Sequence, residues 1–274
     1  MRGRETPNVL GGLLGWVWLV ITILPIYYMV VTSLRPRSSY YADNPLSIPT
    51  NPTIKAYQDV LAADFGKYFY NSVFVTVITV AAVVFMSLLA AYVIVRHRSA
   101  LTRRMFDLLL LGIAIPLQGV IIPVYYLIVQ LGLYDTLWAI ILPSIGFAIP
   151  LTVLILVNFL RDVPGELFES MRLDGASDWR MLWALVVPLS KPAIITVAIY
   201  DALNVWNGFL FPLVLTQSSD KRVLPLSLWA FQGSFTVNVP AILAAIVLSV
   251  LPILAAYAVG RRQLVAGLTA GFSK

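Results

Sequence analysis

Six long apolar stretches, almost free of charge, divide this chain and leave a water-soluble fold no room. About 20 apolar residues at a 1.5 Å rise cross the hydrocarbon of a bilayer. Gly11 to Ser33, Tyr68 to Val95, Leu108 to Gln130, Thr136 to Leu160, Ala193 to Leu215 and Pro240 to Gly260 each reach that length. Each must satisfy its backbone polar groups internally, as helix. The expected fold class is therefore all-α, a polytopic membrane bundle of six transmembrane helices. The apolar run feeding the last span begins at Val223, but Pro225, Gly233 and Pro240 make its first part an outer loop or interfacial segment rather than a seventh span.

Charge sets the orientation. Only 12% of residues are charged, against about 25% in an ordinary soluble domain. The net charge of +6 sits in short clusters between apolar runs, which argues for membrane topology over nucleic-acid binding. With the N-terminus inside, 13 of the 19 lysines and arginines fall in the inner segments, so both termini are expected in the cytoplasm. Arg2 and Arg4 precede the first run as in a signal peptide, yet that run is too long and lacks a small-residue cleavage site, so it reads as a retained span. In the first outer segment, Pro36, Pro45, Pro49 and Pro52 predict an extended strap before a short helix near Ile54 to Leu61. There is no cysteine, which excludes disulfides and thiolate metal sites.

One inner stretch, Pro164 to Pro192, combines many charges with regular apolar spacing. Asp162 as a cap, Pro164 in the first turn and acidic Glu166 and Glu169 predict a helix from about Gly165 to Leu173. Asp174-Gly175 supplies the stop, with Gly175 free to turn left-handed, and Ser177 or Asp178 caps a second helix that should end near Val187, before Pro188. Leu167, Phe168 and Met171 form the apolar face of the first helix; Trp179, Leu182, Trp183 and Val186 form that of the second.

Catalytic constellations do not assemble. No G-x-x-x-x-G-K-[ST] loop occurs, so ATP is not hydrolysed here by that route, and the sole histidine, His97, sits among arginines as a solvated residue. Asp201 is the one acid well inside a span, which demands a partner, a cavity or a helix interface. Asn204, Trp206, Asn207, Phe209, Phe211 and Pro212 follow it, a mixture of amides and aromatic rings that suits a sugar and equally suits helix packing. Pro116, Gln118, Gly119 and Pro123 mark the third span as irregular. From these residues alone, a stand-alone secondary carrier or channel using Asp201, and a non-transporting scaffold, stay open.

Glu169-Ser170-Met171-x-x-Asp174-Gly175-Ala176-Ser177, followed by Val187-Pro188-Leu189 and Pro192, resembles the E-A-A-x-x-x-G signature of ABC importer permeases, with Ser170 and Met171 replacing two alanines. Ser33-Leu34-Arg35-Pro36, Tyr70-Asn71-Ser72, Trp206-Asn207-x-Phe209-Leu210-Phe211-Pro212-Leu213 and the tail Leu264-Val265-x-Gly267-Leu268-Thr269-Ala270-Gly271 resemble the carbohydrate-importer branch, nearest its maltose-importer G-type permease. Gly208 departs from that branch, where a glutamate often follows Trp-Asn.

The resemblance implies a type I importer permease fold and a heterodimer with a second homologous permease, resting on two ATPase subunits and fed by an extracytoplasmic sugar-binding protein. The substrate implied is a di- or oligosaccharide or a glycerol-phosphate-type ligand. No cofactor or metal is expected on this chain, with ATP and Mg on the partner ATPase. Glu169, Ser170, Met171, Asp174, Gly175, Ala176 and Ser177 would couple to the ATPase. Leu264, Gly267, Leu268, Thr269 and Gly271 would reach it from the tail, Phe231 to Phe235 would meet the binding protein, and Asp201, Asn204, Trp206, Asn207 and Phe209 would line the pathway. The domain division expected is 1–67 for the first helix and outer strap, 68–262 for the core with coupling helices at about 164–187, and 263–274 for a cytoplasmic tail.

Overall fold

The computed structural model describes residues 9–97, 99–231 and 237–270. In order, the helices are α1 (Val9–Ser33), α2 (Lys55–Ala62), α3 (Phe65–Arg96), α4 (Ala100–Leu111), α5 (Leu117–Gln130), α6 (Leu137–Arg161), α7 (Gly165–Leu173), α8 (Asp178–Met181), α9 (Val187–Leu189), α10 (Lys191–Trp206), α11 (Leu210–Leu215), α12 (Leu224–Ser227) and α13 (Val239–Ala270). Leu10–Ser33, Phe65–Arg96 and Leu137–Arg161 are each long and apolar enough to cross a membrane, and two bent pairs and the shorter apolar Val239–Ala255 accompany them. The chain is a multi-pass membrane protein.

The chain divides into two compact units, Met1–Gly66 with Ser227–Leu251, and Lys67–Leu226 with Pro252–Lys274. In the first unit α1 presents its apolar side chains outward, Trp16 at 70% and Trp18 at 68% exposure, as a lipid-facing helix does. The strap after it is not extended. It folds into successive turns, with Ser39, Ala42, Asp43 and Ser47 donating backbone N–H groups three or four residues back. The reason is Arg35, which is buried to 1% exposure and donates from Nη2 to the Asn44 carbonyl at 2.7 Å, the Pro45 carbonyl at 3.2 Å and the Ser47 carbonyl. The curled backbone gathers these acceptors around Nη2, while the buried Nε and Nη1 meet none among the described residues. Ser33 Oγ and the Tyr57 hydroxyl, 2.7 Å apart, tie α1 to α2.

The second unit has two apolar cores strung along α3 and α6. One joins Leu88, Tyr92, Phe106, Leu156, Leu160, Phe168, Met181, Leu182, Val186 and Val197; the other joins Val75, Ile128, Ile140, Ile141, Phe211, Leu215 and Val223. The third apolar stretch is broken: the helical segments on either side of Pro116 meet at 106°. Proline lacks the amide that would continue the ladder, and Pro116 takes an extended backbone (ψ 128°) as the cap of α5. The fifth stretch stops at Trp206 and resumes as α11. At the end of the unit near α11, Asp135, with φ +59°, accepts the N–H groups of Gln217 (2.8 Å) and Ser218 (2.9 Å) and the Ser218 hydroxyl. Asn71 Nδ2 donates to the carbonyls of Asp220 (2.9 Å) and Arg222 (2.8 Å), and Ser72 Oγ accepts from Leu224 N–H at 2.8 Å. Asn71 and Ser72 are thus loop clasps.

Candidate functional site

The charged stretch after α6 folds as two helices about a glycine. Pro164, in extended conformation (ψ 131°), is the cap of α7, whereas Asp162 closes α6 and caps nothing in α7. Helix α7 covers Gly165–Leu173 and ends in a Schellman turn: Ala176 N–H returns to the Met171 carbonyl (2.9 Å) and Gly175 N–H to the Arg172 carbonyl (3.1 Å). Gly175 sits at φ +77°, where any Cβ is strained. Ser177 Oγ then accepts from Arg180 N–H at 3.3 Å to start α8.

The second helix ends two residues beyond Val187, past the proline expected to stop it. It passes through a π-helical segment, Leu182–Val186, and Pro188 to finish at Leu189. In the wide turn Val187 N–H reaches back to the Leu182 carbonyl, which relieves the crowding a proline ring meets in a regular α-helix.

Packing sorts the expected apolar faces. Phe168, Met181, Leu182 and Val186 are buried, while Trp179 and Trp183 are 58% and 43% exposed, edge to face at 5.6 Å. Leu173 is 89% exposed and Glu169 and Ser170 are exposed beside it. Glu169 makes no ion pair among the described residues. Two contacts tie the hairpin to α3, and a third, from Arg172 to Asp178, joins its own two helices. The Tyr92 hydroxyl donates to Asp178 Oδ1 at 2.9 Å, Arg172 Nη2 pairs with the same oxygen at 3.0 Å, and the Arg96 guanidinium lies 4.3 Å over the Phe168 ring. The hairpin is therefore rigid, tied to α3, and open on its far face.

The second region surrounds Asp201. This carboxylate is 2% exposed and accepts a 2.9 Å hydrogen bond at Oδ2 from Thr152 Oγ1 of α6, itself 1% exposed. The bond joins α6 to α10, and Asp201 lines a cavity of about 270 Å³ with Ser144, Phe147, Tyr200, Asn204, Gly208 and Phe209 among its neighbours. Asn204 Nδ2 donates to the Tyr200 carbonyl at 2.8 Å, and its amide oxygen accepts from no donor among the described residues. Trp206 and Asn207 do not line this cavity. Trp206 is 9% exposed with its ring edge to face against Phe69 at 5.9 Å, and Asn207 Nδ2 donates to the Leu203 carbonyl at 2.8 Å. At Gly208 a Cβ would stand 3.0 Å from the Val205 carbonyl oxygen, so the chain closes onto the end of α10 there because no side chain intervenes. Sequence reasoning missed Thr152, which has no distinguishing context in an apolar span, and Tyr92, whose hydroxyl is polar at the end of a greasy helix.

The tail falls partly outside the described residues. Helix α13 runs through Leu264, Gly267, Leu268 and Thr269 to Ala270, while Gly271 and residues 232–236 of the last outer loop lie outside them.

Residues 83–265 match the family described as binding-protein-dependent transport system inner membrane component. The chain is 39% identical over 258 residues to a putative ABC transporter permease protein of Caldicellulosiruptor sp. (strain Rt8B.4), with 94% of each chain covered. It is 31% identical to a diacetylchitobiose uptake system permease protein of Streptomyces coelicolor, covering 93% of this chain and 85% of that one. Its fold is similar to that in a crystal structure of a bacterial ABC transporter involved in the import of the acidic polysaccharide alginate, with TM-score 0.82 and 22% identity over 96% of this chain and 98% of that one.

Proposed function

Because the chain belongs to the family of binding-protein-dependent transport system inner membrane components, we propose that it forms half of the translocation pathway of an ATP-driven carbohydrate importer. A second homologous permease completes the pathway, two separate ATPase subunits bind and hydrolyse ATP with Mg, and an extracytoplasmic sugar-binding protein delivers the solute. In this proposal the chain crosses six times with both termini in the cytoplasm, which the bias of 13 of 19 cationic residues to the inner segments supports. The similarity to a diacetylchitobiose uptake permease supports a di- or oligosaccharide as the solute.

The observation that carries the mechanism is the hairpin at Gly175. Its buried side is locked to α3 by Tyr92, Asp178 and Phe168, while Glu169, Leu173, Trp179 and Trp183 stand exposed. A rigid element with one free face transmits a rigid-body displacement, which a floppy loop absorbs. The ATPase docks on Glu169, Ser170, Met171, Asp174, Gly175, Ala176 and Ser177, with the tail at Leu264, Gly267, Leu268, Thr269 and Gly271 reaching the same partner. Its closure moves α6 and α10, which the Thr152–Asp201 hydrogen bond joins beside the cavity that Asp201 lines. In that cavity Asp201, Asn204 and Phe209 meet the sugar: the carboxylate and the amide oxygen accept from hydroxyls, and the ring packs on a sugar face.

In proteoliposomes holding the whole assembly, Glu169→Lys and Gly175→Pro should leave ATP hydrolysis running without sugar uptake. Normal coupled uptake in both variants removes the coupling assignment. Uptake by the purified single chain without any ATPase returns the reading to a secondary carrier.

A further inference from the structure

A second charged feature of the larger unit plays no part in that mechanism. Where α3 and α6 end and α4 begins, a cavity of about 690 Å³ is lined by Arg103, Arg104 and Arg161, with Asp107 the one acid among the described residues of its wall. None of the three arginines meets a carboxylate within ion-pair distance among the described residues. Arg161 instead holds its guanidinium 5.5 Å from the Phe106 ring. The rest of the wall is apolar or small: Ile94, Val95, Ala100 and Phe106, with the hydroxyls of Ser99 and Thr102 at the edge.

Three unpaired guanidinium groups on one concave surface repel each other and call for an anion. The wall says which kind. A free phosphate needs no apolar lining, and the surface beside the cavity continues apolar along one face of α4. Leu101, Met105, Leu108 and Leu111, spaced three or four residues apart, are 68%, 54%, 67% and 63% exposed. The cavity also sits where the apolar spans α3 and α6 give way to Arg96 and Arg161, the depth at which headgroups lie. We infer that this cavity seats the phosphodiester headgroup of an anionic phospholipid, with its acyl chains lying along the exposed face of α4. Arg103 and Arg104 present forked donors to the phosphate oxygens, and Arg161, steadied by Phe106, closes the third side. The inference needs only that the chain is embedded in a bilayer; it does not depend on which solute is carried.

Native mass spectrometry of the full chain, released from nanodiscs of equal phosphatidylglycerol and phosphatidylcholine with matched acyl chains, tests it. Wild type should retain phosphatidylglycerol preferentially. An arginine near the surface strengthens anionic-lipid binding about fivefold, so Arg104→Gln should lower that preference about fivefold, and Arg103→Gln, Arg104→Gln and Arg161→Gln together on the order of a hundredfold. Lysine at all three positions should keep most of it, and Lys55→Gln, a residue exposed on the other unit, should change nothing. Since the lysine variant preserves charge and size, it separates a lost site from a misfolded chain. Unchanged preference in the triple glutamine variant overturns the inference. Displacement of the lipid by soluble glycerol phosphate at matched concentration overturns it in favour of a free-phosphate site. Weakened capture of the ATPase subunits with lipid retention intact overturns it in favour of an acidic protein face.

Discussion

Asp178 is the joint between the hairpin and α3, and its two bonds contribute unequally. The ion pair to Arg172 joins side chains 48% and 59% exposed, so water screens it to about 0.5 kcal/mol. Tyr92, at 6% exposure, donates to the same charged oxygen, and a hydrogen bond to a charged group contributes about 1.5–3 kcal/mol. With the acceptor half in water we take the lower end, about 1.5 kcal/mol. A double-mutant cycle on Tyr92→Phe and Asp178→Ala should therefore return about 1.5 kcal/mol of coupling, and one on Arg172→Ala and Asp178→Ala about 0.5 kcal/mol. Amide exchange of the hairpin reads the same difference, because it follows the free energy of local opening. In the purified full chain, peptides covering residues 165–189 should exchange about tenfold faster in Tyr92→Phe and about twofold faster in Arg172→Ala. Peptides from the middle of α6 should not respond. Equal acceleration in the two variants, or the larger one in Arg172→Ala, would refute the argument from burial and make the exposed ion pair within the hairpin its main brace.

Other consequences follow from the same geometry. Arg35→Met strips three strap carbonyls of their donor and should destabilise the first unit by about 3 kcal/mol, seen as proteolysis between α1 and α2 at a temperature wild type resists. Thr152→Val removes the partner of a buried carboxylate and should weaken uptake by about 1–3 kcal/mol in kcat/KM, while Asp201→Asn, which keeps an acceptor for Thr152, should cost less; equal uptake in all three chains would return the pair to simple helix packing. The Ser218 hydroxyl and the Gln217 and Ser218 amides hold the Asp135 carboxyl below the usual carboxylate range, despite opposing desolvation. A depressed folded value means the clasp is fully present above the ordinary carboxylate pKa and is lost as pH falls through the folded one. Asp135→Asn should therefore loosen 215–220 at neutral pH and abolish its acid-induced loosening; an unchanged acid transition would place the proton elsewhere.

Local chemistry was legible wherever a residue type forces a conformation. Gly175 after Asp174 announced the left-handed turn, Ser177 the second cap, and the helix Gly165–Leu173 appears with those bounds. The limits lay where two local rules compete. Pro188 should end a helix, yet a widened turn upstream carries the helix past it, and widening depends on core contacts of Leu182 and Val186 that no window of sequence displays. Pro116 was seen as an irregularity, but whether it bends a span or breaks it by 106° depends on what α4 and α5 pack against. Arg35, a charge in an outer segment by sequence, is the buried centre of the strap, because burial is a property of the surroundings.

By itself, then, the sequence determined the solvent, the helical class and the hinge: apolar runs of membrane length admit only backbone that satisfies itself, and glycine alone relaxes at φ +77°. Only the tertiary structure decided which polar side chains meet. Thr152 and Asp201 lie 49 residues apart, and Tyr92 and Asp178 lie 86 apart. Each pair forms because close packing around α3, α6 and α10 leaves a buried hydroxyl one acceptor within reach, and an unmade bond there costs about 1–3 kcal/mol. The same packing withdrew Trp206 into the core and left Phe209 at the cavity, a choice that periodicity along one helix could not make.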